Sequence, residues 1–295
     1  EKYINSRPKF KDVMVGMDYA IGLGTDGKLY YWDMEIDRGS LPVIMAKIKE
    51  IANLDDSSID RIENGILVDE EKNIIYRLIN PEKYNTLRFE KIELNKECKP
   101  KMFGNKFILS QDGRLWSYEG NCYNDEIAVL NNIRFDNMNG DLYIDTNKNI
   151  WYIDFDEAVC LNNLEKSPLQ GIKISKASFN YILCENGKVY EYNNHDELIE
   201  IEIDKNVIDI HETESKLIFE TENDEVWVYD RNDDEIKKVD IEGNIKEVYE
   251  GYFLDDSGNL FRWGNNEEGI EIMRAFNNVE NKTFVEVSAT YGAAI

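Results

Sequence analysis

The chain has 295 residues, with 59 acidic against 34 basic side chains and a formal net charge of −25 at pH 7. Such a surface repels polyanions, so the composition argues against nucleic acid and anionic membranes and is compatible with a basic protein partner. No apolar run approaches the ~20 residues that span a bilayer, and 42% hydrophobic content is enough for a large packed core.

Seven copies of one short pattern follow one another along the chain. Each copy has a polar two-residue turn, one polar residue, an aliphatic residue and then alternating aromatic residues, as in Asp26-Gly27-Lys28-Leu29-Tyr30-Tyr31-Trp32. The turns are centred near residues 27, 72, 113, 148, 187, 224 and 258, and the aliphatic positions after them are Leu29, Ile74, Leu115, Ile150, Val189, Val226 and Leu260. A spacing of roughly 40 residues is typical of repeats whose unit is a four-stranded blade.

A further strand is predicted ahead of each turn. Two hydrophobic positions precede every turn, and they are separated by one residue. The first set is Ile21, Ile66, Phe107, Leu142, Tyr181, Leu217 and Tyr252, and the second is Leu23, Val68, Leu109, Ile144, Leu183, Phe219 and Leu254. This spacing puts both sets on one face of a strand. Each unit is therefore a β-hairpin, and Asp-Gly or Asn-Gly at its tip supplies the positive φ angles of a tight turn.

The repeat predicts an all-β fold: a seven-bladed β-propeller, closed between its N- and C-terminal segments, forming one domain over residues 1–295. The start at Glu1 is compatible with a domain of a larger protein. No long amphipathic helix is apparent, and only residues 270–277 have room for a helical turn. Residues 285–295 resemble residues 13–23, so the last segment either completes a blade begun by the N-terminus or starts an eighth unit. We favour closure, because an open array leaves two edge strands bare.

The segment after the last hairpin resembles a known repeat. Trp263-Gly264-Asn265-Asn266-Glu267-Glu268-Gly269 is similar to the tryptophan-glycine-x-asparagine-x-x-glycine signature of the regulator of chromosome condensation repeat, and residues 25–32 and 285–289 resemble other parts of it. Kelch and WD repeats fit less well, because the chain has no Gly-Gly and only one Trp-Asp pair. The resemblance implies a seven-bladed propeller that recognises proteins on one face. Family members range from a nucleotide-exchange factor to a secreted inhibitor of a β-lactamase, so the fold alone transfers no function.

The sequence offers little for catalysis or for metal binding. No CxxC pair occurs among its four cysteines, Cys98, Cys122, Cys160 and Cys184. With only two histidines, His195 and His211, a zinc site of the usual spacing is excluded, and no metal or cofactor is predicted. We expect surface or packing roles for both histidines and free, mostly buried thiols. Phosphate-binding glycine loops and serine-hydrolase motifs are absent from the sequence.

Candidate binding residues come just before the first hydrophobic position of a repeat, where the loops of successive blades emerge on one face. They are Asp18, Tyr19, Asn105, Lys106, Phe179, Asn180, Thr290 and Tyr291. Exposed aromatic residues at such places are typical anchors of protein–protein interfaces. The sequence therefore predicts a non-enzymatic, monomeric protein-interaction module, with an exported or cell-surface location favoured over a cytoplasmic one.

Two alternative functions are compatible with the same fold. A lectin-like propeller would stack sugars on Trp116, Trp151 and Trp227, although their fixed place beside the hairpin turns favours packing between blades. Guanine-nucleotide exchange or hydrolysis on the propeller scaffold is the other alternative.

Overall fold

The computed structural model describes residues 9–15, 19–33, 49–51, 54, 58–63, 65–79, 88–104, 106–117, 132–154, 158–193, 197–212, 216–223, 225–231, 235–239, 245–249, 252–256, 260–266, 269–274, 287–288 and 293–294. Within these ranges the chain is all-β, with a single 3-10 turn at Leu161–Asn163 and no α-helix. None of the helical structure in these ranges is long and apolar enough to cross a bilayer.

The strands pair in chain order into successive antiparallel sheets, which we number 1 to 8. Sheets 1 and 2 comprise β1 (Phe10–Val15), β2 (Tyr19–Gly24), β3 (Leu29–Asp33) and β4 (Lys49–Glu50), then β5 (Arg61–Glu63), β6 (Ile66–Asp69), β7 (Ile74–Ile79) and β8 (Arg88–Glu93). Sheets 3 and 4 comprise β9 (Pro100–Phe103), β10 (Phe107–Ser110) and β11 (Leu115–Ser117), then β12 (Phe135–Asn139), β13 (Leu142–Asp145), β14 (Ile150–Ile153) and β15 (Ala158–Cys160).

The second half of the chain continues the same arrangement. Sheets 5 and 6 comprise β16 (Ile174–Ser178), β17 (Tyr181–Cys184), β18 (Val189–Tyr192) and β19 (Leu198–Ile201), then β20 (Val207–Glu212), β21 (Lys216–Thr221), β22 (Val226–Asp230) and β23 (Glu235–Val239). Sheets 7 and 8 comprise β24 (Ile245–Tyr249), β25 (Tyr252–Asp255), β26 (Leu260–Asn266) and β27 (Gly269–Arg274), then β28 (Val287–Ser288) and β29 (Ala293–Ala294). Residues 270–274, where the sequence left room for a helical turn, are instead paired to β26 as the outer strand of sheet 7.

The second strand of each sheet carries the two predicted hydrophobic sets. In sheets 1 to 6 every member of both sets is at most 3% exposed, and in sheet 7 the side chains lie outside the described part. The neighbouring residues of these strands are buried too, as in Leu67 and Ile108. A strand buried on both faces belongs to a sheet that is covered on both sides. Each Leu or Ile side chain removed from water contributes about 1.5–3 kcal/mol to the stability of the fold.

The hydrophobic core is divided among the junctions between successive sheets. Five clusters of buried side chains each combine residues of two neighbouring sheets, from the pair 1 and 2 to the pair 5 and 6. In the junction of sheets 3 and 4, for example, the ring of Tyr143 packs edge-on against Phe107 and Phe135, with centroids 6.2 and 5.9 Å away. Each sheet therefore depends on its neighbours for burial.

The hairpin tips have the backbone geometry that their sequences predict. Positive φ angles occur at Gly27, Asn73, Gly113, Lys148 and Gly187, with values from 58° to 82°. At Gly187 an added Cβ atom would also lie 1.8 Å from Asn206 Oδ1, so the Asn206 side chain would have to move to admit it. The tips near residues 224 and 258 lie outside the described residues.

The first strands of six sheets share an irregularity that the sequence did not predict. In each of them the register with the second strand skips one residue, which is the mark of a β-bulge. The skipped residues are Lys11, Lys101, Asp136, Ser175, Ile208 and Lys246. A bulge bends its strand and increases its twist, so these six first strands share one local distortion.

Hydrogen bonds from backbone amides to side-chain oxygens cross several junctions between neighbouring sheets. Asp12 Oδ2 accepts from the Ile62 amide at 2.7 Å, and Glu63 Oε1 accepts from the Phe103 amide at 2.9 Å. Farther along, the Phe179 amide donates to Asn139 Oδ1 at 3.3 Å. At the end of the chain, β28 contacts both β24 and β1. In the described residues β28 and β29 pair with each other as a separate sheet instead of extending sheet 1.

The described cysteines, Cys98, Cys160 and Cys184, are free thiols, and Cys122 lies outside the described residues. Burial raises the pKa of both Cys98 and Cys184 to about 12. Both thiols are therefore protonated and chemically inert at neutral pH.

Candidate interaction face

The predicted binding residues that the structure describes lie at connections between the first and second strand of a sheet. Tyr19 is the first residue of β2, and only its backbone is described. Lys106 comes directly before β10, and Phe179 and Asn180 form the turn between β16 and β17. The other four, Asp18, Asn105, Thr290 and Tyr291, lie outside the described residues. We call the surface formed by Lys106, Phe179, Asn180 and their neighbours the turn face.

Phe179 is the most exposed large hydrophobic side chain among the described residues, at 54%. Its φ of 43° is left-handed, which costs a residue with a Cβ atom about 1–2 kcal/mol. The turn rests on Gly140 of sheet 4, where an added Cβ atom would come within 3.4 Å of both Cα and Cδ1 of Phe179. An aromatic ring is thus held in water, on a strained backbone, by the neighbouring sheet.

Beside Phe179, charged and aromatic side chains of sheets 5 and 6 form one network. Arg231 stacks on the Tyr181 ring, 4.7 Å from its centroid, and donates to the Tyr181 hydroxyl and to Glu212. The backbone N–H of Asn180 also donates a hydrogen bond to the Glu212 carboxylate. Burial raises the pKa of Glu212 above its ordinary value, although Arg231 opposes this effect. Burial likewise raises the pKa of Tyr181. The network fixes the Phe179 turn against sheet 6.

Lys106 is engaged with the neighbouring sheet. Its Nζ lies 3.0 Å from Asp154 Oδ1 and 3.5 Å from Asp141 Oδ1, and both carboxylates belong to sheet 4. Burial alone would lower the pKa of Lys106, but the two carboxylates outweigh it and raise the pKa. The side chain therefore joins sheets 3 and 4 at the turn face.

The three tryptophans considered as sugar-stacking residues each donate an indole hydrogen bond to a side chain of their own hairpin. Trp116 is buried and its Nε1 donates to Ser110 Oγ at 3.3 Å. Trp151 Nε1 donates to Asp145 at 3.0 Å and Trp227 Nε1 to Glu225 at 3.1 Å. These contacts favour a packing role for the three rings.

The structure also groups residues that the sequence did not connect. Asp209 and His211 on β20 lie beside Glu220 on β21, with His211 Nε2 2.7 Å from Glu220 Oε1. Lys176 of sheet 5 reaches Asp209 Oδ1 at 2.5 Å. His211 was expected to have a surface or packing role, and nothing in the sequence signals a partner nine residues farther on. His195 lies outside the described residues.

No protein-family model matches the sequence, and no curated protein matches it either. Among solved structures, the chain is similar to Saccharomyces cerevisiae Sqt1, with 11% identity, a TM-score of 0.53, and coverage of 95% of this chain and 88% of that protein. It is also similar to the computationally designed Ika8 protein, with 10% identity, a TM-score of 0.50, and coverage of 96% and 91%.

A third solved structure is Prp20p from Saccharomyces cerevisiae, with 10% identity and coverage of 94% of this chain and 79% of that protein. Its TM-score is 0.41. Identities near one tenth show the fold alone. The likeness to Sqt1 and the succession of antiparallel sheets together show that this chain has an all-β, propeller-like fold.

Proposed function

We propose that this chain is a closed β-propeller of about seven blades, with repeats of the regulator of chromosome condensation type, and that it binds a protein partner through the turn face. The exposed, left-handed Phe179 carries this proposal. Backbone strain persists only where the surroundings impose it, and it is concentrated at functional sites. At Phe179 the strained backbone belongs to a residue whose aromatic ring lies outside the core, in contact with water.

Closure of the ring is supported by the contacts of the first strands. β1 contacts β5, β12 contacts β16, β16 contacts β20 and β20 contacts β24. β28 contacts both β24 and β1, so the two ends of the series meet at the same short hairpin. The repeat type is supported by the sequence signature, whose Trp263 lies in β26 and whose Gly269 begins β27.

The charge of the chain favours a basic partner. With a net charge of −25, long-range attraction speeds the approach of a positively charged protein and weakens as salt screens it. We infer that the chain acts by binding, without an enzymatic step and without nucleic acid, and that it acts as a monomer in an exported or cell-surface setting.

The proposal is tested by comparing two exposed apolar side chains. The immobilised chain is used to capture and identify a partner, and the purified partner is then titrated against Phe179→Ala and Ile199→Ala. The exposed fraction of Ile199, 50%, is similar to the 54% of Phe179, but Ile199 lies on the outer strand β19. Loss of an interface anchor costs about 2 kcal/mol, or roughly thirtyfold in affinity.

We expect that loss for Phe179→Ala and less than about a threefold change for Ile199→Ala. Equal affinities for the two variants would exclude the turn face as the binding site. A salt titration of the wild-type complex tests the charge of the partner independently of the binding face. A basic partner should bind more weakly as the salt concentration rises.

A further inference from the structure

Three potential metal ligands share one face of sheet 6. Asp209 and His211 are two residues apart on β20, so their side chains point to the same side. Glu220 of β21 is the directly paired residue of Asp209, and paired residues in an antiparallel ladder share a face. The register of two strands, and not the spacing along the sequence, therefore brings an imidazole and two carboxylates together.

The distances between the three groups fit one coordination shell. His211 Nε2 lies 2.7 Å from Glu220 Oε1 and 3.7 Å from Asp209 Oδ2, and all three ligand atoms are within 4.8 Å of one another. Zinc binds histidine nitrogen and carboxylate oxygen at about 2.0–2.2 Å. Two ligands of one ion are then roughly 3–4 Å apart, which small side-chain rotations achieve here.

Asp209 is held in an orientation suited to coordination. Its Oδ1 accepts from Lys176 Nζ at 2.5 Å and from the Ile210 amide at 2.7 Å, while Oδ2 faces His211. Outer contacts of this kind fix the direction of a metal ligand. All three ligand side chains are partly exposed, by 18% to 38%, so an ion has a route to them.

We propose that Asp209, His211 and Glu220 form a binding site for a divalent transition-metal ion such as Zn²⁺. One nitrogen and two carboxylate oxygens are a donor set that such ions accept. The two carboxylates balance the charge of the ion, and Lys176 contacts Asp209 through the oxygen that faces away from His211. Three protein ligands leave a coordination position open for water or for a donor from a partner.

The test is a calorimetric titration of the purified chain with ZnCl2 in a buffer that does not bind metal. We expect one site with micromolar or tighter affinity in the wild type. His211→Ala and the isosteric Glu220→Gln should each weaken it at least about tenfold. The matched control is His195→Ala, which removes the only other histidine of the chain and should leave the affinity unchanged.

A second measurement guards against unfolded variants. Zn²⁺ should raise the thermal midpoint of the wild type and of His195→Ala, because an ion that binds only the folded state stabilises it. Folded Glu220→Gln, verified by circular dichroism, should lose this response. No binding up to millimolar Zn²⁺, or binding that is unchanged in both His211→Ala and Glu220→Gln, overturns the site.

Discussion

The turn before β10 and the turn between β16 and β17 occupy equivalent places in sheets 3 and 5 but carry opposite features. At the first, Lys106 is turned towards sheet 4 and pairs with Asp141 and Asp154. At the second, Phe179 extends into water over Gly140 of the same sheet. Equivalent positions in the repeat thus join neighbouring sheets at one turn and expose an aromatic side chain to water at another.

Among the substitutions at these turns, Phe179→Gly should change partner affinity the most. Partner affinity should fall roughly thirtyfold, because the aromatic anchor is gone. The free energy of unfolding should stay the same or rise by up to about 1 kcal/mol, because glycine adopts the left-handed φ without strain. Isothermal titration and urea unfolding measure the two effects. A strongly destabilised variant would mean that Phe179 is a packing residue. In that case Phe179 and Lys106 would both serve the stability of the fold.

Gly140→Ala tests whether sheet 4 supports the Phe179 turn. Its φ is 58°, so alanine adds strain of about 1 kcal/mol. The new Cβ would be in van der Waals contact with Cα and Cδ1 of Phe179 at 3.4 Å, so a backbone shift that relieves the strain would also move the Phe179 turn. We expect lower stability together with weaker partner binding. Gly171→Ala is the matched control, because Gly171 has a φ of 71° and nothing within 4 Å of an added Cβ. It should lose similar stability and keep its affinity, and an equal loss of affinity in both variants would contradict the support role.

Lys106→Met should have a smaller effect, confined to stability. The ion pairs are partly exposed and screened by solvent, so their loss costs about 0.5 kcal/mol, and less in high salt. Urea unfolding at two salt concentrations checks this, with partner affinity measured in parallel. Lys188→Met provides a comparison within one sheet, because Lys188 pairs with Glu200 of the same sheet 5 at 2.7 Å. A large loss of partner affinity in Lys106→Met would show that both turns act as contacts.

The smallest effect concerns the pH dependence at Glu63, next to the corresponding turn of sheet 2. Burial raises the pKa of Glu63, with the Phe103 amide and Arg61 opposing it. Its stabilising contribution is therefore greatest below the unfolded pKa of about 4.3 and is lost as the pH rises through the higher folded value. Glu63→Gln keeps the acceptor for Phe103 and does not titrate. Relative to the wild type, this variant should gain stability from pH ~4 to ~7.

Asp26→Asn serves as a control of opposite sign. A hydrogen bond from Tyr30 lowers the pKa of Asp26, so the stabilising contribution of its carboxylate appears as the pH rises. The asparagine variant should therefore lose stability relative to the wild type as the pH rises to the unfolded pKa of about 3.9, and the two curves should run parallel above it. Parallel curves for Glu63→Gln and the wild type would show that the Glu63 carboxylate is not coupled to folding.

The hairpins were predictable from the sequence because their signals are local. Two buried positions separated by one residue, such as Leu142 and Ile144, and a turn with positive φ, such as Gly113, depend on a few adjacent residues. The bulges were not predictable, since Lys101, Ser175 and Ile208 share the same backbone role but no chemical property. Residues 270–274 form a strand because β26 lies beside them, a partner that local propensity does not register.

The candidate site shows the same division. The sequence singled out Phe179 and Lys106 from their place in the repeat. That Gly140 supports the first, and that Asp154 engages the second, depends on how neighbouring sheets pack. The grouping of His211 with Glu220 likewise requires the register of β20 and β21.

The hydrogen bonds that cross the sheet junctions have a consequence for how the repeats diverge. In the bonds made by Asp12, Glu63 and Asn139, one partner is a side chain and the other is a backbone amide. Every residue except proline has that amide. A substitution in the repeat that supplies the backbone amide therefore leaves the hydrogen-bond donor intact. One blade can then change its residues without a matching change in the next. Tolerance of this kind allows the repeated units to differ in sequence while the hydrogen bonds between their sheets persist.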